Sequence, residues 1–236
     1  MSSQEPSSPA SDSPGIYPWL RDDAAYVLPM AVFLLFTFAG GRWPSFFVPS
    51  YIIKTILTGV LLILLRRYFT KINWSYAWLG VIVGIVGVVQ WVGMEKLLLH
   101  LWPNYPRPGA EPIDPFTQIA SPALLWSFIA IRILGPTLVV PFMEEYFWRD
   151  FLWRTVVAPN DFKLARVGEW DWKAFVIVTL AFASVHIQWM TAIVWGAMIA
   201  WLLVRTRSLG ACVIAHGVTN LLLGIYVLHT HDWAFW

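Results

Sequence analysis

Long apolar runs separated by short charged loops recur along this chain, at 24–39, 46–65, 77–94, from 123 into the 150s, 172–187, 190–204 and 209–228. Runs of this kind are what helices use to cross the roughly 30 Å hydrocarbon core of a bilayer. In hydrocarbon every backbone N–H and C=O must be satisfied internally, so several such runs fold as packed helices. The predicted class is therefore all-α, a polytopic integral membrane helical bundle of about seven to eight transmembrane helices. Composition agrees, with 58% hydrophobic and 13% charged residues, where soluble domains have about 45–50% and 25%. A net charge of +2 gives no reason to expect nucleic acid as a partner. The single cysteine, Cys212, lies in an apolar stretch and excludes an internal disulfide or a cysteine-based metal centre.

Residues 1–23 are rich in Ser and Pro, carry Glu5, Asp12, Asp22 and Asp23, and read as a disordered tail. They have neither the basic start nor the apolar centre of a secretory signal. Residues 24–236 are expected to form one membrane-embedded domain. Cytoplasmic loops carry an excess of Lys and Arg. With seven crossings, Arg21, Arg66, Arg67, Lys71, Arg154, Lys163, Arg166, Lys173, Arg205 and Arg207 fall on one side. Only Arg42, Lys96 and Arg107 fall on the other, which puts the amino terminus in the cytoplasm and the carboxyl terminus outside. Pro136 and Pro141 interrupt the fourth run and predict a break near Pro141.

Within these greasy runs lie ionisable groups, which are costly at membrane depth and mark function. Glu144 and Glu145 stand side by side, with Arg149 four residues on. Phe182 and His186 follow at helical spacing in the next run, and His216 and Asn220 in the last. Counted at about 1.5 Å per residue from the cytoplasmic helix ends, Glu144 lies roughly 18 Å deep and His186 roughly 21 Å. His216 lies roughly 10 Å and Asn220 roughly 16 Å deep. One slab of the membrane therefore holds all four.

Glu145 and Arg149 have the order that favours an ion pair on a helix, which neutralises both. Glu144, turned about 100° away on a helix of 3.6 residues per turn, is left to act as a general base. The alternative is that both acids only balance Arg149 and Arg132. Phe182 can wall one side of the His186 ring. His216 and Asn220 offer an imidazole and an amide as oxyanion donors, or else a plain interhelical hydrogen bond. Two chemistries suit this set. In the first, without a cofactor, Glu144 and His186 activate water. In the second, zinc is held by His186, His216 and Glu144, although the usual His-Glu-x-x-His signal is missing.

The three motifs, in this order and on separate helices, resemble the CPBP family of intramembrane proteases, the CAAX-protease and bacteriocin-processing proteins related to the Ras converting enzyme. They read Glu144-Glu145-Tyr146-Phe147-Trp148-Arg149, Phe182-Ala183-Ser184-Val185-His186 and His216-Gly217-Val218-Thr219-Asn220. The resemblance implies that Glu144 and His186 activate water, that His216 and Asn220 stabilise the oxyanion, and that Glu145 and Arg149 support them. It also implies a site opening towards the cytosol and a place in a bacterial inner membrane. In size and character the chain is similar to the bacterial branch found beside exosortase systems. The tryptophans around the motifs, Trp148, Trp153, Trp189 and Trp195, read as an interfacial belt.

The function expected is hydrolysis of a peptide bond in a membrane-associated substrate, such as a lipidated or carboxyl-terminal tail, within the bilayer. Two other classes compete. One is a non-catalytic bacteriocin-immunity or scaffold protein, and the other is a transporter or proton relay. Four intact polar residues at one depth speak against both. Arg132 has no assigned partner at this point.

Overall fold

The computed structural model describes residues 18–107 and 113–236. The expected tail lies outside the described residues as far as residue 17. Helix α1 (Pro18–Arg42) begins six residues before the predicted 24, on the Pro18-Trp19-Leu20 start. It is followed by α2 (Phe47–Leu64) and α3 (Ala77–Leu101), so residues 95–101 continue a span rather than turn along the surface. A short α4 (Pro115–Gln118) leads to a long rod, Pro122–Val157. The rod comprises α5 (Pro122–Leu134), a π-helical stretch (Gly135–Val139), α6 (Val140–Glu144), a second π-helical stretch (Glu145–Leu152) and α7 (Trp153–Val157). Three more helices complete the bundle: α8 (Trp172–Ser184), α9 (Trp189–Thr206) and α10 (Leu209–Thr230).

Six segments are long and apolar enough to cross a membrane, and the 13-residue α8 is the short seventh. At about 1.5 Å per residue α8 rises only about 20 Å. Its end at Ser184, three residues short of the predicted 187, leaves the non-helical turn 185–188, with Val185 and Ile187 exposed and Gln188 buried. Non-helical backbone at this depth is tolerated where it lines a cavity, and this turn carries His186.

The helices alternate in direction, and the long axis of the bundle is set by α3 against α10. These two run parallel, as the glycine contacts require. A Cβ on Gly80 would stand 2.5 Å from the Ala211 carbonyl oxygen, one on Gly84 2.7 Å from that of Ala215, and one on Gly87 2.6 Å from Thr219 Oγ1. Small residues at this spacing let two backbones meet where no hydrophobic force drives them together. Gly217 brings α10 equally close to the rod, with only 2.8 Å between its would-be Cβ and the Thr137 oxygen.

The end of the bundle bearing Leu64, Trp172 and Thr206 is tied by a polar knot. The Arg154 guanidinium bonds the buried Asp150 carboxylate, the Ala165 and Lys163 carbonyls and Thr70 Oγ1. Lys163 reaches Asp22 on α1. Trp148, Trp153 and Trp195 are buried, at 5%, 0% and 2% exposure, and so belong to the core. This corrects the interfacial-belt reading for these three: they pack inside the bundle, Trp153 donating to the Glu169 oxygen and Trp195 to Thr219. Cys212 is buried, as its apolar surroundings predicted.

Candidate active site

The rod does not break at Pro141 as predicted; it loosens. In a π-turn each carbonyl accepts from the amide five residues on, and Val140 N–H indeed bonds the Gly135 oxygen. The next bond in this register would run from residue 141 to Pro136, but proline has no N–H. The Pro136 oxygen is thus orphaned, and Asn220 Nδ2 on α10 donates to it at 2.8 Å. One of the two amide N–H bonds of Asn220 is committed to this repair and the other is not.

Four residues beyond Pro141 the chain enters its second π-stretch with Glu145. This carboxylate has two partners: Oε1 lies 2.8 Å from His216 Nδ1, and Oε2 lies 3.4 Å from Arg149 Nε. The three side chains are buried, Glu145 completely. The Arg149 contact is one of charge rather than an aligned hydrogen bond, since Nε and Nη1 find no acceptor. The guanidinium compensates by lying over the rings of Phe182, at 4.5 Å, and Trp195, at 5.7 Å. The Glu145–Arg149 pair was legible in the sequence, whereas the His216 contact across 71 positions was not.

Glu144 is buried at 6% exposure, and its Oε2 has no hydrogen-bond partner in the protein. A buried carboxylate oxygen without a partner demands a donor, and water or a substrate N–H would supply one.

His186 owes its orientation to the early end of α8. Its own backbone N–H bonds the Ala183 oxygen, so the Phe182 carbonyl stays free, and His186 Nδ1 takes it at 2.7 Å. A carbonyl only accepts, so Nδ1 carries the proton and Nε2 offers a lone pair. The Phe182 ring covers one side of the imidazole at 4.3 Å, as predicted, and Trp91 meets it edge-on at 5.8 Å. Trp195 binds the cluster together. It stacks on Phe182 at 5.2 Å, meets His216 edge-on at 4.7 Å and donates from Nε1 to Thr219. Trp91 and Thr219 were missed in the sequence, because an apolar helix face gives no sign of which aromatic ring turns inward.

Among the described residues no three His, Cys, Asp or Glu side chains come together as a metal site. His186, His216 and Glu144, the alternative zinc set, do not form such a group.

A cavity of about 720 Å³ between α8 and α9 is lined by His186, Leu180, Ala183, Ser184, Trp189, Ile193, Pro106 and Arg107. At its rim Trp189 Nε1 donates to the Pro106 oxygen at 2.8 Å. The buried Glu95 receives Thr191, the Tyr105 hydroxyl and, at 3.7 Å, Arg107. Burial, that hydrogen bond and the carboxylate charge hold the Tyr105 phenol above its ordinary pKa, so it stays a donor. Neither Glu95 nor Tyr105 was singled out in the sequence.

The described residues thus form a bundle with six helices long and apolar enough to cross a membrane and a buried Glu–His cluster, with a lateral cavity at His186. Residues 125–222 match the family model described as "Type II CAAX prenyl endopeptidase Rce1-like". The matched stretch takes in all three motifs and ends just past Asn220, so the resemblance to CAAX-type proteases of the CPBP family is shown there. At the family level this supports a CAAX-type intramembrane protease. No curated protein and no solved structure matches the chain.

Proposed function

We propose that this chain is an intramembrane endopeptidase that cleaves a membrane-associated peptide with water activated by Glu144 and His186. The observation that carries this reading is a buried carboxylate oxygen without a partner, Glu144 Oε2, in a bundle that also fixes the His186 imidazole by its Nδ1 on a carbonyl. Together they can hold one water between two acceptors.

In the reaction Glu144 takes a proton from that water, and the water oxygen bonds to the scissile carbonyl carbon. The carbonyl electron pair moves onto oxygen. The free N–H of Asn220 and Nε2–H of His216 then face the oxyanion. For His216 to donate there while Nδ1–H bonds Glu145, the ring must carry both protons, with the developing oxyanion as its counter-charge while Glu145 stays paired with Arg149. Collapse of the intermediate re-forms the C=O bond and expels the amine, which recovers the proton through Glu144 and His186.

The Lys and Arg distribution sets the Leu64–Trp172–Thr206 end in the cytoplasm. The His186 cavity, rimmed by residues 105–107, then lies in the opposite half, against the cytosolic opening implied by the family pattern. Substrate enters sideways between α8 and α9, and its identity is set by what that cavity accepts.

Purified wild type and Glu144→Gln are compared on a membrane-anchored peptide library, read by mass spectrometry. Products made by wild type alone support the protease. Equal turnover by both removes Glu144 as the base. No product from either well-folded protein turns the reading to the binding or immunity class.

A further inference from the structure

Outside the catalytic cluster, two cations, the buried Lys54 and the half-buried Arg132, have no acid beside them among the described residues. Every other buried cation has a carboxylate: Arg149 has Glu145 and Arg154 has Asp150. Lys54 on α2 and Arg132 on α5 form no ion pair at all. Lys54 is 7% exposed, and its Nζ donates once, to Thr37 Oγ1 at 2.8 Å. Its ammonium sits 4.4 Å from the ring centres of both Phe33 and Tyr51. Arg132 lies 4.5 Å from the same Tyr51 ring, and also over Trp236 at 5.2 Å and Phe47 at 5.8 Å. Besides Lys54, the Tyr51 phenol bears on its guanidinium, a single oxygen for five N–H donors.

Aromatic faces attract a cation but accept little of its hydrogen-bonding capacity. Two like charges against one ring, at membrane depth, need a counter-charge. Phosphate answers this need, since it takes charge-assisted bonds of about 2.8 Å from a guanidinium and an ammonium together.

A second feature says where that phosphate comes from. A groove of about 560 Å³ opens between α2 and the segment 118–124, lined by Val48, Ile52, Ile119 and Leu124, with Ser45 and Ser121 among its polar positions. The link between groove and cation pair is one apolar cluster, in which Ile119 of the groove packs with Phe128 and with Tyr51, whose ring both cations face. An acyl chain suits the groove, and Lys54 and Arg132 lie only about 10–15 Å in from the starts of their helices. Long basic side chains reach outward over such a distance.

We propose that Lys54 and Arg132 form a binding site for the phosphate of an anionic lipid, with one acyl chain in the groove between α2 and the segment 118–124.

The test is native mass spectrometry of the detergent-purified full chain titrated with phosphatidylglycerol, phosphatidylcholine or inorganic phosphate. Wild type is expected to retain one phosphatidylglycerol at least tenfold more tightly than phosphatidylcholine. The double variant Lys54→Met/Arg132→Gln is expected to lose that preference, and Arg132→Lys to keep part of it. Melting temperature is the second readout: phosphatidylglycerol raises it in wild type and not in the double variant. Equal retention by wild type and double variant, or no preference over phosphatidylcholine, overturns the site. Displacement of the lipid by millimolar inorganic phosphate overturns the lipid assignment and leaves the pair with a soluble ligand.

Discussion

His216 Nδ1 and Glu145 Oε1 stand 2.8 Å apart, so of the two adjacent carboxylates it is the second that is spent on structure and the first that is left unbonded. That division of labour follows from the helix itself. Neighbouring residues point about 100° apart on an α-helix of 3.6 residues per turn, and only one of them can face both α10 and Arg149. The site therefore separates a charge-balancing acid from one left without a partner, and each acid makes its own prediction.

Glu144→Gln keeps the shape and removes the proton acceptor. Cleavage is expected to fall by about 10²–10⁴-fold, the usual weight of a positioned general base. The melting temperature in detergent should stay near wild type, since Oε2 has no protein partner to lose. Full turnover by this variant assigns the base elsewhere.

Glu145→Gln acts on stability first. It leaves the Arg149 guanidinium, 1% exposed, without its counter-charge. Breaking one side of such a buried pair costs about 3–5 kcal/mol. The expected result is a large drop in melting temperature and yield, recovered in part by adding Arg149→Met. An unchanged melting temperature for the single variant would sink the ion pair as a structural element.

Gly80→Ala tests how the last helix is held. Its new Cβ meets the backbone oxygen of Ala211 at 2.5 Å, and backbone cannot rotate away. Overpacking of this kind costs about 1–3 kcal/mol. Gly93→Ala, with nothing within 4 Å of its Cβ, serves as the control and should be neutral or better. Equal thermal stability of the two variants would show that α3 and α10 are not packed through this stripe.

Chelation separates the two chemistries open in the sequence. With water activated by Glu144 and His186, EDTA or phenanthroline leaves the cleavage rate within about twofold, a difference of less than about 0.5 kcal/mol. Stoichiometric zinc in active protein, lost together with activity and restored with it, would reverse this.

Much of the bundle was legible from the sequence because the bilayer leaves few alternatives: apolar length gives the spans, and α2, α3, α9 and α10 start or end within a few residues of the hydropathy reading. The misses have physical causes. Alpha-helical spacing carries no sign of a π-stretch, so Pro141 suggested a break where the rod only relaxes. Tryptophan is ambiguous between core and interface, and burial of Trp148, Trp153 and Trp195 is decided by neighbours far away in sequence. Arg132 invited a search for an acid and found Tyr51, Phe47 and Trp236 instead. The Glu145–His216 contact joins two helices whose relative rotation no local pattern encodes.

Asn220 and Pro141 make the last prediction, and it concerns two residues that need not touch. Pro141 lacks the N–H that the π-register of 135–139 would send to the Pro136 oxygen, and Asn220 supplies a donor in its place. Removing that donor by Asn220→Leu leaves a carbonyl unsatisfied at membrane depth, at a cost of about 1–3 kcal/mol. Pro141→Ala returns a backbone N–H at position 141, so the same Asn220 substitution should cost clearly less in that background. A thermal double-mutant cycle reads the difference directly. Non-additivity in this direction supports the repair role of Asn220. Simple additivity would mean that the Pro136 carbonyl is satisfied by other means and that Asn220 is held in place for its second amide hydrogen alone. Cleavage distinguishes the two roles further. Pro141→Ala/Asn220→Leu regains stability but not activity if the uncommitted N–H of Asn220 meets the oxyanion, because no backbone amide replaces that donor.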